Sequence, residues 1–75
     1  MAQKRVAARR RDGTYITSEY MEPEAAKAEF ERVLDEVKAY GSNPEHWAKL
    51  GQEGAIKAID IESVELQDEP FVGVA

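Results

Sequence analysis

Five of the chain's ten cations, Lys4, Arg5, Arg9, Arg10 and Arg11, fall within the first eleven residues, and no acid lies among them. A cluster of this kind can neutralise phosphates and release their counterions, or clamp an acidic protein surface. Tyr15, just beyond it, offers a ring on which a base or a guanidinium can stack. Residues 12–75 hold the other five cations, Lys27, Arg32, Lys38, Lys49 and Lys57, and all fifteen acids. The formal charge of −5 therefore divides into a +5 segment and a −10 body. That body repels nucleic acid, and no helix rich in Arg or Asn is present to enter a groove. Binding of nucleic acid or an acidic partner through Lys4, Arg5, Arg9, Arg10 and Arg11 is accordingly the alternative reading. The plainest one pairs these cations with the acidic body itself.

Other chemistry is sparse. The single histidine, His46, stands beside Trp47, where packing is its ordinary role. Ser18, Ser42 and Ser63 lack a nucleophile-elbow context, and neither phosphate-binding glycine pattern occurs. Asp60 and Glu62, two residues apart, would face the same way on a strand and could hold Mg²⁺ or share a proton; the polar face of an amphipathic strand is the favoured reading. With no cysteine, disulfides, thiolate zinc sites and cysteine nucleophiles are excluded. No catalytic, cofactor-binding or metal-binding residue is assigned. The expectation is a protein that is not an enzyme, with no cofactor and no small-molecule substrate. Its apolar residues suggest protein contact instead. Tyr15, Met21, Trp47, Phe71, Val72 and Val74 supply more apolar surface than one helix covers, which points to a partner, either a second copy or a host or viral protein.

Seventy-five residues allow one small domain that buries roughly 60% of its unfolded surface. Asp12-Gly13 is a strong turn signal, and Thr14–Met21 reads as a strand. A two-residue loop there sets Arg10 opposite Tyr15, Arg9 opposite Ile16 and Val6 opposite Glu19. Neither resulting face is cleanly apolar. Residues 1–11 are therefore read as a basic arm or a weak edge strand. An Arg10–Tyr15 cation–π contact is expected if the hairpin forms.

Pro23 suits the first position of a helix, and Glu22 and Glu24 complement its positive end. Ala26, Phe30, Val33, Val37 and Tyr40, with Leu34 beside them, make one apolar stripe, and Gly41 closes the helix. Residues 46–50 read either as a short helical turn capped by Asn43 or as a strand joined through Gly51–Gly54 to the next. Between Ala55 and Leu66 the apolar positions change parity, since Ile59 and Ile61 fall opposite to Val64 and Leu66. A strand cannot change faces without a bulge or break, which is placed near Glu62-Ser63. The core expected is Ile16, Phe30, Val33, Leu34, Val37, Trp47, Ile56, Ile59, Ile61, Val64 and Leu66. The fold class is α+β: a small, mostly antiparallel sheet, made of an N-terminal hairpin and C-terminal strands, packed against one long amphipathic helix. Residues 12–67 form the domain and 68–75 an acidic and apolar tail.

In the order of Asp12-Gly13-Thr14-Tyr15-Ile16-Thr17, the acidic helix, Trp47 and Asp60-Ile61-Glu62-Ser63-Val64-Glu65-Leu66, the chain resembles small uncharacterised proteins encoded by tailed phages of actinobacteria. The resemblance covers most of residues 12–66, leaves out residues 1–11, and implies a viral context without assigning any residue a role. No run approaches a membrane span, and the basic residues lead into Asp12-Gly13-Thr14 rather than an apolar stretch. The expected location is the cytoplasm, of the host cell if the protein is phage-encoded, or the virion. A non-enzymatic, self-associating interaction or assembly protein is the leading functional expectation.

Overall fold

A computed structural model describes residues 3–52 and 54–69. The chain runs β1 (Lys4–Arg10), β2 (Tyr15–Thr17), α1 (Pro23–Tyr40), β3 (Trp47–Leu50), β4 (Gly54–Lys57), a 3-10 turn (Ala58–Asp60) and β5 (Ile61–Asp68). Strands β2, β1 and β5 make one antiparallel sheet in that order, and β3 with β4 makes a separate hairpin. This is the expected α+β class: one helix against a small antiparallel sheet that includes an N-terminal hairpin and a C-terminal strand.

Residues 4–10 depart from the expectation of an arm or edge strand, because β1 is the central strand of the sheet. Its interior runs Val6-Ala7-Ala8, all fully buried. Val6 and Ala8 point into the core beside Val33, Leu50, Ile56 and Ile61, while Ala7 points the other way. On that outer face Ala7 is flanked by Arg5 and Arg9 along its strand and by Thr17 and Glu65 across it. Long side chains around a methyl bury it with no second apolar layer. Two alanines carry little hydrophobic signal in a sequence, and this is why a basic strand read as an arm.

The β1–β2 register is also one residue off the expected one. Arg9 pairs with Tyr15 and Ala8 with Ile16. The loop is Arg11-Asp12-Gly13, since Arg10 N–H donates to Thr14 O at 2.7 Å and Gly13 N–H to Arg10 O at 3.0 Å. A type I turn followed by a residue at positive φ is the usual three-residue hairpin, and Gly13 supplies that residue at φ +92°. Asp12 favours it, because its Oδ1 accepts from both the N–H (2.9 Å) and the hydroxyl (2.6 Å) of Thr14. A one-residue slip exchanges the faces, so Ile16 packs with Val6 and Ala8 on the core side.

The break near Glu62 is found where parity placed it. Arg9 pairs with Ser63 but Arg10 with Ile61, which leaves Glu62 as the extra residue of a bulge. Val64 and Leu66 thereby join Ile61 on the core side. Residues 58–60 form a 3-10 turn rather than strand.

Helix α1 begins at Pro23 and lays Ala26, Phe30, Val33 and Val37 toward the sheet. Gly41 follows it at φ −63°, a right-handed conformation, so the helix ends without the left-handed glycine that its position suggested. Of the two readings for residues 46–50 the strand is adopted. Asn43 still caps the connection, its Oδ1 accepting the Glu45 N–H at 2.9 Å. Along β3, Ala48 and Leu50 are fully buried, and Trp47 stands 53% exposed instead of in the core. The inward positions are filled by Ala48 and Leu50, so strand alternation turns the indole outward.

Candidate functional site

The five N-terminal cations are distributed over β1 and its turn, most of them against partners within the chain. Lys4 Nζ lies 2.8 Å from Asp68 Oδ1, and Arg9 Nε 3.4 Å from Glu62 Oε2. Arg5 Nε donates to Gln67 Oε1 at 2.9 Å, and its guanidinium stacks over Tyr20 at 4.8 Å. Arg11 Nε donates to Ile59 O at 2.9 Å, and its backbone N–H to Asp60 O at 3.0 Å. Arg10, Arg11, Asp12 and Asp60 line a shallow open depression at this turn. The cation–π contact expected between Arg10 and Tyr15 is replaced by Arg5 on Tyr20, because the register sets Arg9 opposite Tyr15. Thr14, donating from its hydroxyl and its backbone N–H, holds the Asp12 carboxyl below the ordinary aspartate range, with the charge of Arg10 adding to the effect. In this arrangement the basic segment is a structural element, four of its cations held by acids, an amide or a carbonyl of the same chain.

The other concentration of positive charge is one that composition concealed. Alternation along the β3–β4 hairpin sends Trp47, Lys49, Ala55 and Lys57 outward, and all four are exposed. Trp47 is directly opposite Lys57 and Lys49 opposite Ala55. Lys57 Nζ sits 5.6 Å from the Trp47 ring centroid, so the cation lies over the indole. No acid occupies these four positions, and among the described residues neither lysine is in an ion pair. The period-2 run Trp47-Ala48-Lys49-Leu50 is the sequence signal for this face.

Behind the hairpin a polar brace fixes it to the helix. The Arg32 guanidinium donates to Glu29, Glu36 and the Lys49 carbonyl. His46 Nε2 is 3.3 Å from Glu36 Oε2, and its ring stacks on Tyr40 at 4.1 Å. His46 is thus occupied in packing. Asp60 closes the 3-10 turn and Glu62 sits on the bulge facing Arg9, so the two carboxylates do not share a strand face as their spacing suggested. Among the described residues no three His, Asp or Glu side chains group as metal ligands. No helix among them is long and apolar enough to cross a membrane.

Of the interface residues expected, Tyr15 is 49% exposed on the outer sheet face and Trp47 on the hairpin. Met21 is half-buried; its backbone exchanges two 2.8 Å hydrogen bonds with Lys4, and it lines a depression with Ala25, Ala28, Glu29 and Arg32. Phe71, Val72 and Val74 lie outside the described residues. Tyr15 and Trp47 are on separate elements and form no single patch.

Charge is also segregated along the molecule, which measures 47 × 24 × 17 Å. Lys4 pairs with both Met21 and Asp68, which gathers Glu19, Glu22, Glu24, Asp68 and Glu69, all exposed, at one end with Lys4, Arg5 and, one helical turn beyond Glu24, Lys27. The other end carries the Arg10–Thr14 turn, the 3-10 turn and the end of α1. Arg10, Arg11, Lys38 and Lys57 gather there with Asp12, Glu45 and Asp60, beside Tyr40, His46 and Trp47. Comparison of the chain with protein-family models, with curated proteins and with solved structures gave no match.

Proposed function

We propose that this protein is a non-enzymatic interaction or assembly protein that associates with copies of itself. On the resemblance of residues 12–66, we place it in a tailed phage of actinobacteria, as part of the particle or acting in the host cell. One observation carries the reading. Tyr15, Tyr40 and Trp47 stand about half exposed, at 49%, 45% and 53%, although the buried cluster around Val6, Val33, Leu50 and Ile56 is complete without them. Large aromatics held on rigid strands and at a helix end are the residues that anchor interfaces. Sedimentation or light scattering over a range of concentrations tests it. The expected result is a mass above that of the monomer that rises with concentration, and a strict monomer throughout overturns it. The nucleic-acid alternative draws on Lys4, Arg5, Arg9, Arg10 and Arg11, where phosphates would compete with Asp68, Gln67, Glu62 and the Ile59 carbonyl. Five phosphate contacts would appear as log K falling by at most ~4.5 per log unit of salt.

A further inference from the structure

Three symmetric ways of joining copies bring like charges together. Acidic end against acidic end sets ten acids against six cations, Lys4, Arg5 and Lys27 of each copy, and a hairpin face against its own twin sets four lysines together. Pairing the open edges of two β5 strands juxtaposes Glu62, Glu65 and Asp68 of both copies. Juxtaposed like charges weaken association, and a charged edge is how sheets avoid edge-to-edge pairing. In one arrangement the signs are opposite. The outward hairpin face, Trp47, Lys49, Ala55 and Lys57, is positive and carries an aromatic anchor, and the end bearing Glu19, Glu22, Glu24 and Glu69 is negative.

We infer that copies of this chain associate head to tail, the hairpin face of one copy seating the acidic end of the next. The inference rests on the self-association proposed above and names its surfaces. Lys57 Nζ lies over the Trp47 ring on a braced hairpin, so the anchor is pre-ordered and little side-chain freedom is lost on contact. Because patch and complement are different surfaces, each copy uses both. The contact does not close on itself as a two-fold contact does, and oligomers grow past the dimer. The interaction is between exposed charges, so salt weakens it.

Full-length chains suffice for the test. Lys49→Gln with Lys57→Gln neutralises the hairpin face, and Glu19→Gln, Glu22→Gln and Glu69→Gln together remove three of the five carboxylates of the acidic end. All five side chains are exposed, so both variants are expected to keep the wild-type circular dichroism. Sedimentation gives mass, and emission from Trp47, the sole tryptophan, reports its burial. Wild type is expected to exceed the dimer as concentration rises, with Trp47 emission moving to the blue, and to dissociate in high salt. Each variant should associate at least about tenfold more weakly. An equimolar mixture, with one intact hairpin and one intact acidic end, should form a dimer and stop there. A wild-type monomer overturns self-association and this inference together. Three results overturn the inference alone: wild type stopping at a dimer, neutralised variants associating like wild type, or a mixture no larger than either variant.

Discussion

The two basic regions of the molecule, strand β1 and the outward face of the β3–β4 hairpin, put positive charge to opposite uses. β1 and its turn carry five cations, and four of them contact acids, an amide or a carbonyl of the same chain. The hairpin face carries only two, with no ion-pair partner among the described residues, and it adds an exposed indole. Counting charge along the sequence does not show which cations already hold partners within the chain. What a cation can offer a partner is set by what it already holds.

The comparison breaks most sharply at equal chemistry. Val6→Asp places a carboxylate in the middle of the central strand, fully buried, with no cation facing it in the core cluster. A cost of several kcal/mol is comparable with the whole stability of so small a domain, and the variant should lack a cooperative thermal transition by circular dichroism. Lys57→Asp, on the exposed hairpin face, should leave the transition within about 0.5 kcal/mol of wild type. If Val6→Asp melts like wild type, β1 is not the centre of the sheet.

Ser18 comes next. It is only 4% exposed, and its Oγ accepts the Val6 N–H at 2.9 Å, while Ser18 N–H donates to Val6 O at 2.9 Å. Ser18→Ala orphans a buried amide of β1 and should cost about 1–3 kcal/mol in urea titration. Arg9→Gln removes a half-exposed ion pair to Glu62 and should change stability by at most about 1 kcal/mol, falling with salt. Asp12 gives the smallest effect. Its folded carboxyl is depressed, so its contribution is present above the ordinary aspartate range and is lost as pH falls through the lower, folded value. Asp12→Asn should flatten only that most acidic limb of a stability-against-pH profile.

Much of this was legible from residue patterns. Pro23 and the stripe from Ala26 to Val37 marked α1, and the parity change between Ile61 and Val64 placed a bulge or break near Glu62-Ser63, where Glu62 is the extra residue. Three things were not legible, each for a physical reason. Ala7 and Ala8 bury completely with almost no apolar signal, so β1 looked too polar to be central. Hairpin register depended on Arg11 joining the loop, a choice set by the hydrogen bonds of Asp12 to Thr14. Trp47 was expected both in the core and at an interface, and it stands outward because the smaller Ala48 and Leu50 fill the inward positions of its strand. The pairing of Lys4 with Asp68 is a fact of topology, and no local window contains it.

Amide hydrogen exchange at Val6, Ala7 and Ala8 tests the central claim most directly, namely that the basic N-terminal segment is the middle of the fold. These amides lie in a strand paired on both sides, and they should exchange only through global unfolding, in the slowest class of the molecule. Exchange at the rate of an unstructured peptide would return residues 4–11 to the status of an arm and free their cations for nucleic acid.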